Sequence, residues 1–96
     1  MIDITGLDKA ELLLELWNGS HAQSMSFFGQ FTTQPSIDDA RSFLESANYY
    51  ADYFNGRVIK VDFRGDKVDG RLYDRNYGQG ACERIIMNLK KKKGLV

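Results

Sequence analysis

Asp52-Tyr53-Phe54-Asn55-Gly56-Arg57-Val58-Ile59-Lys60-Val61-Asp62-Phe63 decides how this chain folds. Gly56 can take the left-handed conformation that closes a helix, so the residues before it read as a helical tail. A strand starts directly after it. Ile59, Val61 and Phe63 fall on one face, and Val58, Lys60 and Asp62 on the other. Such a strand lays its apolar face on a core and holds Lys60 as an ordered charge on the opposite side.

Upstream, Met1 to Ile4 leans towards β, as an edge strand or an irregular start. Thr5 or Asp8 can cap a first helix, each with a carboxylate three residues on. Leu7, Ala10, Leu13, Leu14 and Trp17 form an apolar stripe at helical spacing. The spacing predicts a helix over about Asp8 to Asn18, with Gly19 as its left-handed cap. Ser20 to Ser24 reads as a loop, and Met25 to Phe31 as a short strand bent at Gly29. Ser36 caps a second helix, with Asp38 and Asp39 in the first turn where the helix dipole favours negative charge. Ile37, Ala40, Phe43, Leu44 and Ala47 are its expected buried stripe. Asn48 is a break, and Tyr49 to Phe54 reads as a third helix or a continuation.

Downstream, Arg64-Gly65-Asp66-Lys67 reads as a turn. Val68 to Tyr73 reads as partly extended, and Asp74 to Gly80 as a loop opening a last helix over about Gly80 to Lys92. Ala81, Ile85, Ile86 and Leu89 would face the core, and Gly94 would stop the helix. The expected fold class is α+β: three or four helices packed on a small, mainly antiparallel sheet. Residues 1–96 read as a single domain, with 90–96 as a basic, frayed tail.

Ninety-six residues suffice for one core, hiding roughly 60–70% of the unfolded surface. Thirteen basic and thirteen acidic side chains cancel, which argues against general nucleic-acid coating. The single cysteine, Cys82, excludes an internal disulfide and fits a reducing, cytoplasmic setting. No signal peptide and no apolar run long enough to span a membrane is apparent.

The chemistry-bearing residues are few. His21 is the only histidine, and no CxxC, HExxH or Walker loop is present, so no metal or cofactor is expected. A Cys82–His21 nucleophilic pair is conceivable, but a free cysteine on a packed helix is usually a small buried hydrophobe. The Arg64-Gly65-Asp66 tripeptide is explained by a charged turn. Lys90 to Lys93 complement the dipole at a helix end and are more simply a solvated face than a nucleic-acid site. Tyr49, Tyr50, Tyr53 and Phe54 exceed what one helix face can bury, so some are expected on a partner surface or in a groove.

Leu72 to Gly80 is the strongest site candidate. Gly78 and Gly80 let backbone approach a ligand, and the free N–H groups of a helix start from Gly78 to Ala81 suit a phosphate. Arg75 offers a bidentate fork. Tyr73 or Tyr77 could stack on a base, and Lys60 could add a second charge. The plainer alternative is that Tyr73 is core, Asp74 and Arg75 pair on the surface, and the glycines shape a turn.

The chain resembles a family of small uncharacterised proteins encoded by phages, prophages and other mobile elements. The resemblance is carried by Asp3 to Ala10, Trp17-Asn18, Met25-Ser26-Phe27, Asp52 to Asp62 and Arg71 to Ala81. Family members often carry Gly at the place of Ser26 and Asp-Asn-Gly where Asn76-Tyr77-Gly78 follows Arg75. The resemblance implies a non-enzymatic counter-defence protein that sequesters an immune signal or masks a defence protein. Among the matching positions Asn18, Tyr53, Arg57, Lys60, Tyr73, Asp74 and Arg75 are polar. With Gly78 and Gly80 they make the expected ligand-binding set. The expected ligand is a small phosphorylated nucleotide-type signal, held by a monomer or a homodimer. The alternative partner is a host defence protein such as a CRISPR effector, met through Tyr49 to Phe54 and acidic helix residues.

Overall fold

The computed structural model describes residues 1–20, 35–54 and 57–96, with backbone only at 51–54, 57 and 58. In chain order the elements are β1 (Ile2–Asp3), α1 (Lys9–Gly19), α2 (Ile37–Ala47), β2 (Tyr49–Phe54), β3 (Arg57–Asp62), β4 (Lys67–Val68), α3 (Arg71–Tyr77) and α4 (Ala81–Lys92). The fold is α+β: four described helices with two small antiparallel sheets, β1–β4 and β2–β3. The expected Ser20–Ser24 loop lies largely, and the Met25–Phe31 strand wholly, outside the described residues; so do His21, Asn55 and Gly56.

Two stretches fold differently from expectation. Tyr49–Phe54 is a strand, not a helix. Asn48 ends α2 in the left-handed region at φ 58°, which turns the chain out of the helix at a residue type that tolerates it. The tyrosine-rich run then suits a pleated surface. It pairs antiparallel with β3, from Tyr49 opposite Asp62 to Phe54 opposite Arg57. Alternation sends Tyr50 inward, 2% exposed, and leaves Tyr49 half-buried.

The second departure is α3. Arg71–Tyr77 is a helix, where an extended Leu72-Tyr73 and an Asp74–Gly80 loop were expected. Tyr73 and Tyr77, four residues apart, share its buried face. The loop is only Gly78, Gln79 and Gly80, with Gly78 at φ 120° and Gly80 at φ 77°. Tyr73 is fully buried, and its hydroxyl donates to the Leu16 carbonyl at 2.6 Å. It stacks edge-on to Tyr50 and to Tyr77, centroids 6.0 and 4.7 Å away.

The other elements follow their sequence signals closely. Asp8 caps α1, its carboxylate accepting from the Ala10 N–H at 2.9 Å, and Ser36 caps α2 through the Asp39 N–H. α1 buries Leu12 and Leu16 besides Ala10 and Leu13, a wider face than the expected stripe, with Leu14 and Trp17 half-buried beside it. On α2 only Ala40 and Phe43 are buried; Leu44 and Ala47 pack beside the core, and Ile37 is exposed. Ile59, Val61 and Phe63 are fully buried while Lys60 is exposed.

Gly19 is not the left-handed cap. α1 runs through it and ends at Ser20. Its role is proximity: a Cβ there would sit 2.6 Å from Ile85 Cδ1 and 2.8 Å from the Tyr73 hydroxyl. The lysine run is likewise not a frayed tail. Lys90 to Lys92 form the last turn of α4, and Lys93 follows as its cap. Lys92 pairs with Glu15 at 3.4 Å, Lys93 with Glu11 at 2.8 Å, and Lys90 reaches Asp3 at 3.8 Å. Gly94, at φ 74°, then turns the chain so that the Leu95 N–H reaches the Lys90 carbonyl.

Candidate functional site

β3 buries alternate residues, so Lys60 and Asp62 point away from the core. α3 buries Tyr73 and Tyr77, so Arg71, Leu72 and Arg75 lie on its exposed side. The turn from Arg64 to Asp66 joins the two elements through β4. Between them lies a solvent-open cleft of about 810 Å3, lined by Lys60, Arg64, Lys67, Arg71 and Arg75, and by Asp62, Asp66 and Asp69. Leu72, 41% exposed, gives it an apolar spot.

Two arginines here are held in the same way. The Asp62 carboxylate accepts from the Arg64 backbone N–H at 2.9 Å and from its Nε and Nη2 at 2.9 and 2.5 Å. Asp69 repeats the pattern with Arg71, at 3.1, 3.0 and 2.6 Å. The side-chain bonds from Arg64, then its backbone N–H, hold the Asp62 carboxyl below the usual range. Arg71 draws Asp69 down to about 2 in the same manner. Lys60 is placed differently, its ammonium 4.4 Å from the Tyr49 ring centroid. Among the described residues, Lys67 and Arg75 make no ion pair.

The expected site residues divide between several places. Lys60 and Arg75 meet in this cleft. Tyr73 does not: it is core, with no face open to a base. Asp74 turns to α4, where its Oδ1 accepts from the Cys82 N–H at 2.9 Å. The start of α4 thus already holds an anion, and that anion is Asp74. The Gly78 and Ala81 N–H groups are also engaged, with the Asp74 and Gly78 carbonyls. Gly78 and Gly80 shape this α3–α4 corner outside the cleft. Asn18 is exposed near the end of α1, away from the cleft lining. The side chains of Tyr53 and Arg57 lie outside the described residues.

Arg64, Lys67 and Arg71 were not among the expected site residues, and Leu72 only as the first residue of the candidate segment. A signal for two of them was present: Asp62-Phe63-Arg64 and Asp69-Gly70-Arg71 repeat an Asp-x-Arg spacing in which a carboxylate can hold the arginine two residues on. Cys82 is buried against Gly70, and burial, then Asp74, push its thiol up to about 12. Among the described residues no three potential metal-ligating side chains gather, and no helix is long and apolar enough to cross a membrane. Comparison with protein-family models, curated proteins and solved structures gives no match.

Proposed function

We propose that the protein binds a small phosphorylated, nucleotide-type ligand in the cleft between β3 and α3, and holds it without cleaving it. One observation carries this reading: Lys60 and Arg75, from separate elements, line one cleft whose cationic side chains outnumber its carboxylates. Its volume is within the roughly 300–1,000 Å3 range of small-ligand pockets. Arg75 and Lys67 are available for phosphate oxygens, and Leu72 offers apolar contact to a base or sugar. Sequestration of an immune signal, as the resemblance to phage-encoded proteins implies, asks for binding without chemistry, and the cationic lining of the cleft supports the binding part of that reading. Masking of a defence protein is less favoured. Of the tyrosines expected on that surface, Tyr50 is buried and Tyr49 lies beneath Lys60.

A thermal-shift panel of cyclic and linear nucleotides tests the proposal. A ligand at a hundred times its Kd adds about 2.7 kcal/mol. For a domain of this size that raises Tm by roughly 10–20 °C. Lys60→Ala and Arg75→Ala should each abolish most of the rise, and chromatography should recover the ligand intact. A flat response from folded protein across the panel refutes the reading. A stoichiometric protein partner from a host lysate would then take its place.

A further inference from the structure

We propose that Arg64 and Arg71, oriented by Asp62 and Asp69, are the residues that grip the ligand's anionic groups, and that the cleft selects a ligand carrying two negative charges. This rests on the binding reading above and assigns that site its principal contacts. The two Asp-x-Arg pairs have nearly superimposable hydrogen-bond geometry, and both line the cleft. Each arginine is bound to its carboxylate twice over, through its own backbone N–H and through the Nε and Nη2 edge. A guanidinium has five N–H donors, and this arrangement uses two of them. Among the described residues the Nη1 group makes no hydrogen bond, and the carboxylate biases its direction. Both arginine side chains are well exposed, 74% and 87%. An unpaired surface arginine must lose its rotamer freedom on binding; here the carboxylate has already removed much of it.

The carboxylates also set the charge of the ligand. Counted over side chains alone, five cations against three carboxylates leave a formal excess of two. A singly charged ligand leaves part of that excess uncompensated, and a highly charged polyphosphate meets Asp62, Asp66 and Asp69 at close range. A phosphate monoester, or two phosphodiesters in one molecule, carries a charge of about two at neutral pH. A cationic cluster without the aspartates would prefer the more highly charged anion.

Titration calorimetry with a cyclic dinucleotide (two phosphodiesters), a nucleoside monophosphate, a cyclic mononucleotide (one charge) and a nucleoside triphosphate tests this. The wild-type protein should bind the first or second at least tenfold more tightly than the last two. Arg64→Lys and Arg71→Lys keep the charge and lose the fork, and each should weaken binding about as much as the alanine variants, tenfold or more. Asp62→Asn and Asp69→Asn should also weaken binding, since the guanidinium loses its orientation. All four positions are on the surface, and circular dichroism checks each variant's fold. Full rescue by lysine, or tighter binding by the asparagine variants, overturns the orienting role and leaves an unoriented charge effect. Binding lost on Lys60 or Arg75 substitution but untouched at Arg64 and Arg71 overturns this inference and leaves the binding reading intact. Tightest binding to the triphosphate overturns the charge selection. No binding to any of the four overturns both.

Discussion

Tyr73→Phe separates a core role for this tyrosine from a stacking role. The substitution keeps the ring and removes one oxygen. In the folded protein that oxygen donates to the Leu16 carbonyl at 2.6 Å, in a fully buried setting. Leu16 lies in the last turn of α1, where carbonyls run out of helical partners. The Ser20 N–H that would ordinarily serve it goes to the Trp17 carbonyl, at 3.2 Å. Removing the hydroxyl therefore takes away the Leu16 carbonyl's partner in the core, and an unsatisfied buried acceptor costs about 1–3 kcal/mol. For a domain of this length, each kcal/mol lowers Tm by about 4–8 °C, so a fall of roughly 4–24 °C is expected by calorimetry. Urea denaturation should show a lower midpoint at an unchanged slope, because the surface exposed on unfolding is the same. Nucleotide affinity of the folded variant should be unaltered. A Tm equal to that of the wild type, or a selective loss of ligand binding, would refute the placement of Tyr73 in the core and return it to the site.

Three further outcomes follow from the packing. Gly70→Ala should destabilise by about 1–3 kcal/mol by overpacking, since its Cβ would lie 2.6 Å from Cys82 Cβ and 2.9 Å from Sγ; an unchanged urea midpoint would contradict that approach. Cys82 should resist iodoacetamide in the native protein and react once unfolded. Its thiol keeps a proton up to about 12 in the folded state, whereas the ordinary value is 9.0, so stability should decline as pH rises between those values. A pH–stability curve of Cys82→Ala lacking that decline, set against the wild type, is the check. Lys93→Ala should cost about 1 kcal/mol or more. Glu11 Oε2 is buried without a well-directed hydrogen bond, and the Lys93 ammonium 2.8 Å away supplies its charge pairing. Lys92→Ala, at an exposed pair, should cost less than about 0.5 kcal/mol, and equal losses would contradict the distinction.

The helices that were legible carried strong local marks. Ser36 with Asp38 and Asp39 fixed the start of α2, and the Leu-rich period fixed α1. Gly56 read alone is a helix cap, and that reading hides the hairpin. Asn55-Gly56 between two runs rich in aromatic and β-branched residues is also a two-residue hairpin signal, and β2 and β3 pair antiparallel. Gly78 and Gly80, so close together, make the residues before α4 read as a loop. What makes α3 helical is tertiary: Tyr73 and Tyr77 bury one face against Tyr50 and α1, an arrangement that local propensity does not encode. In the candidate site, Lys60 and Arg75 were legible as charges on ordered elements. Their meeting in one cleft needs the β4 turn, and Tyr73 reads as a ligand residue only if α3 is a loop; as a helix, α3 buries it.

Core and cleft are opposite faces of the same two elements, and this constrains how the cleft can be altered. The alternation that buries Ile59, Val61 and Phe63 leaves Lys60 and Asp62 outside; the helical period that buries Tyr73 and Tyr77 leaves Arg71, Leu72 and Arg75 outside. A one-residue slip of β3 against β2 would invert the first set, and loss of α3 would scatter the second. The cations on these outer faces would repel one another across a small domain, within reach of a Debye length of about 10 Å at 0.1 M salt. Asp62 and Asp69 offset that repulsion within two residues of Arg64 and Arg71, so the fold can keep five cations on one surface while no ligand is bound. The same carboxylates then compete with any anion that enters. In the proposed binding mode, directed N–H donors and apolar contact at Leu72 would therefore contribute more than net charge, which is why arginine-to-lysine substitutions, which keep the charge and lose the fork, test it.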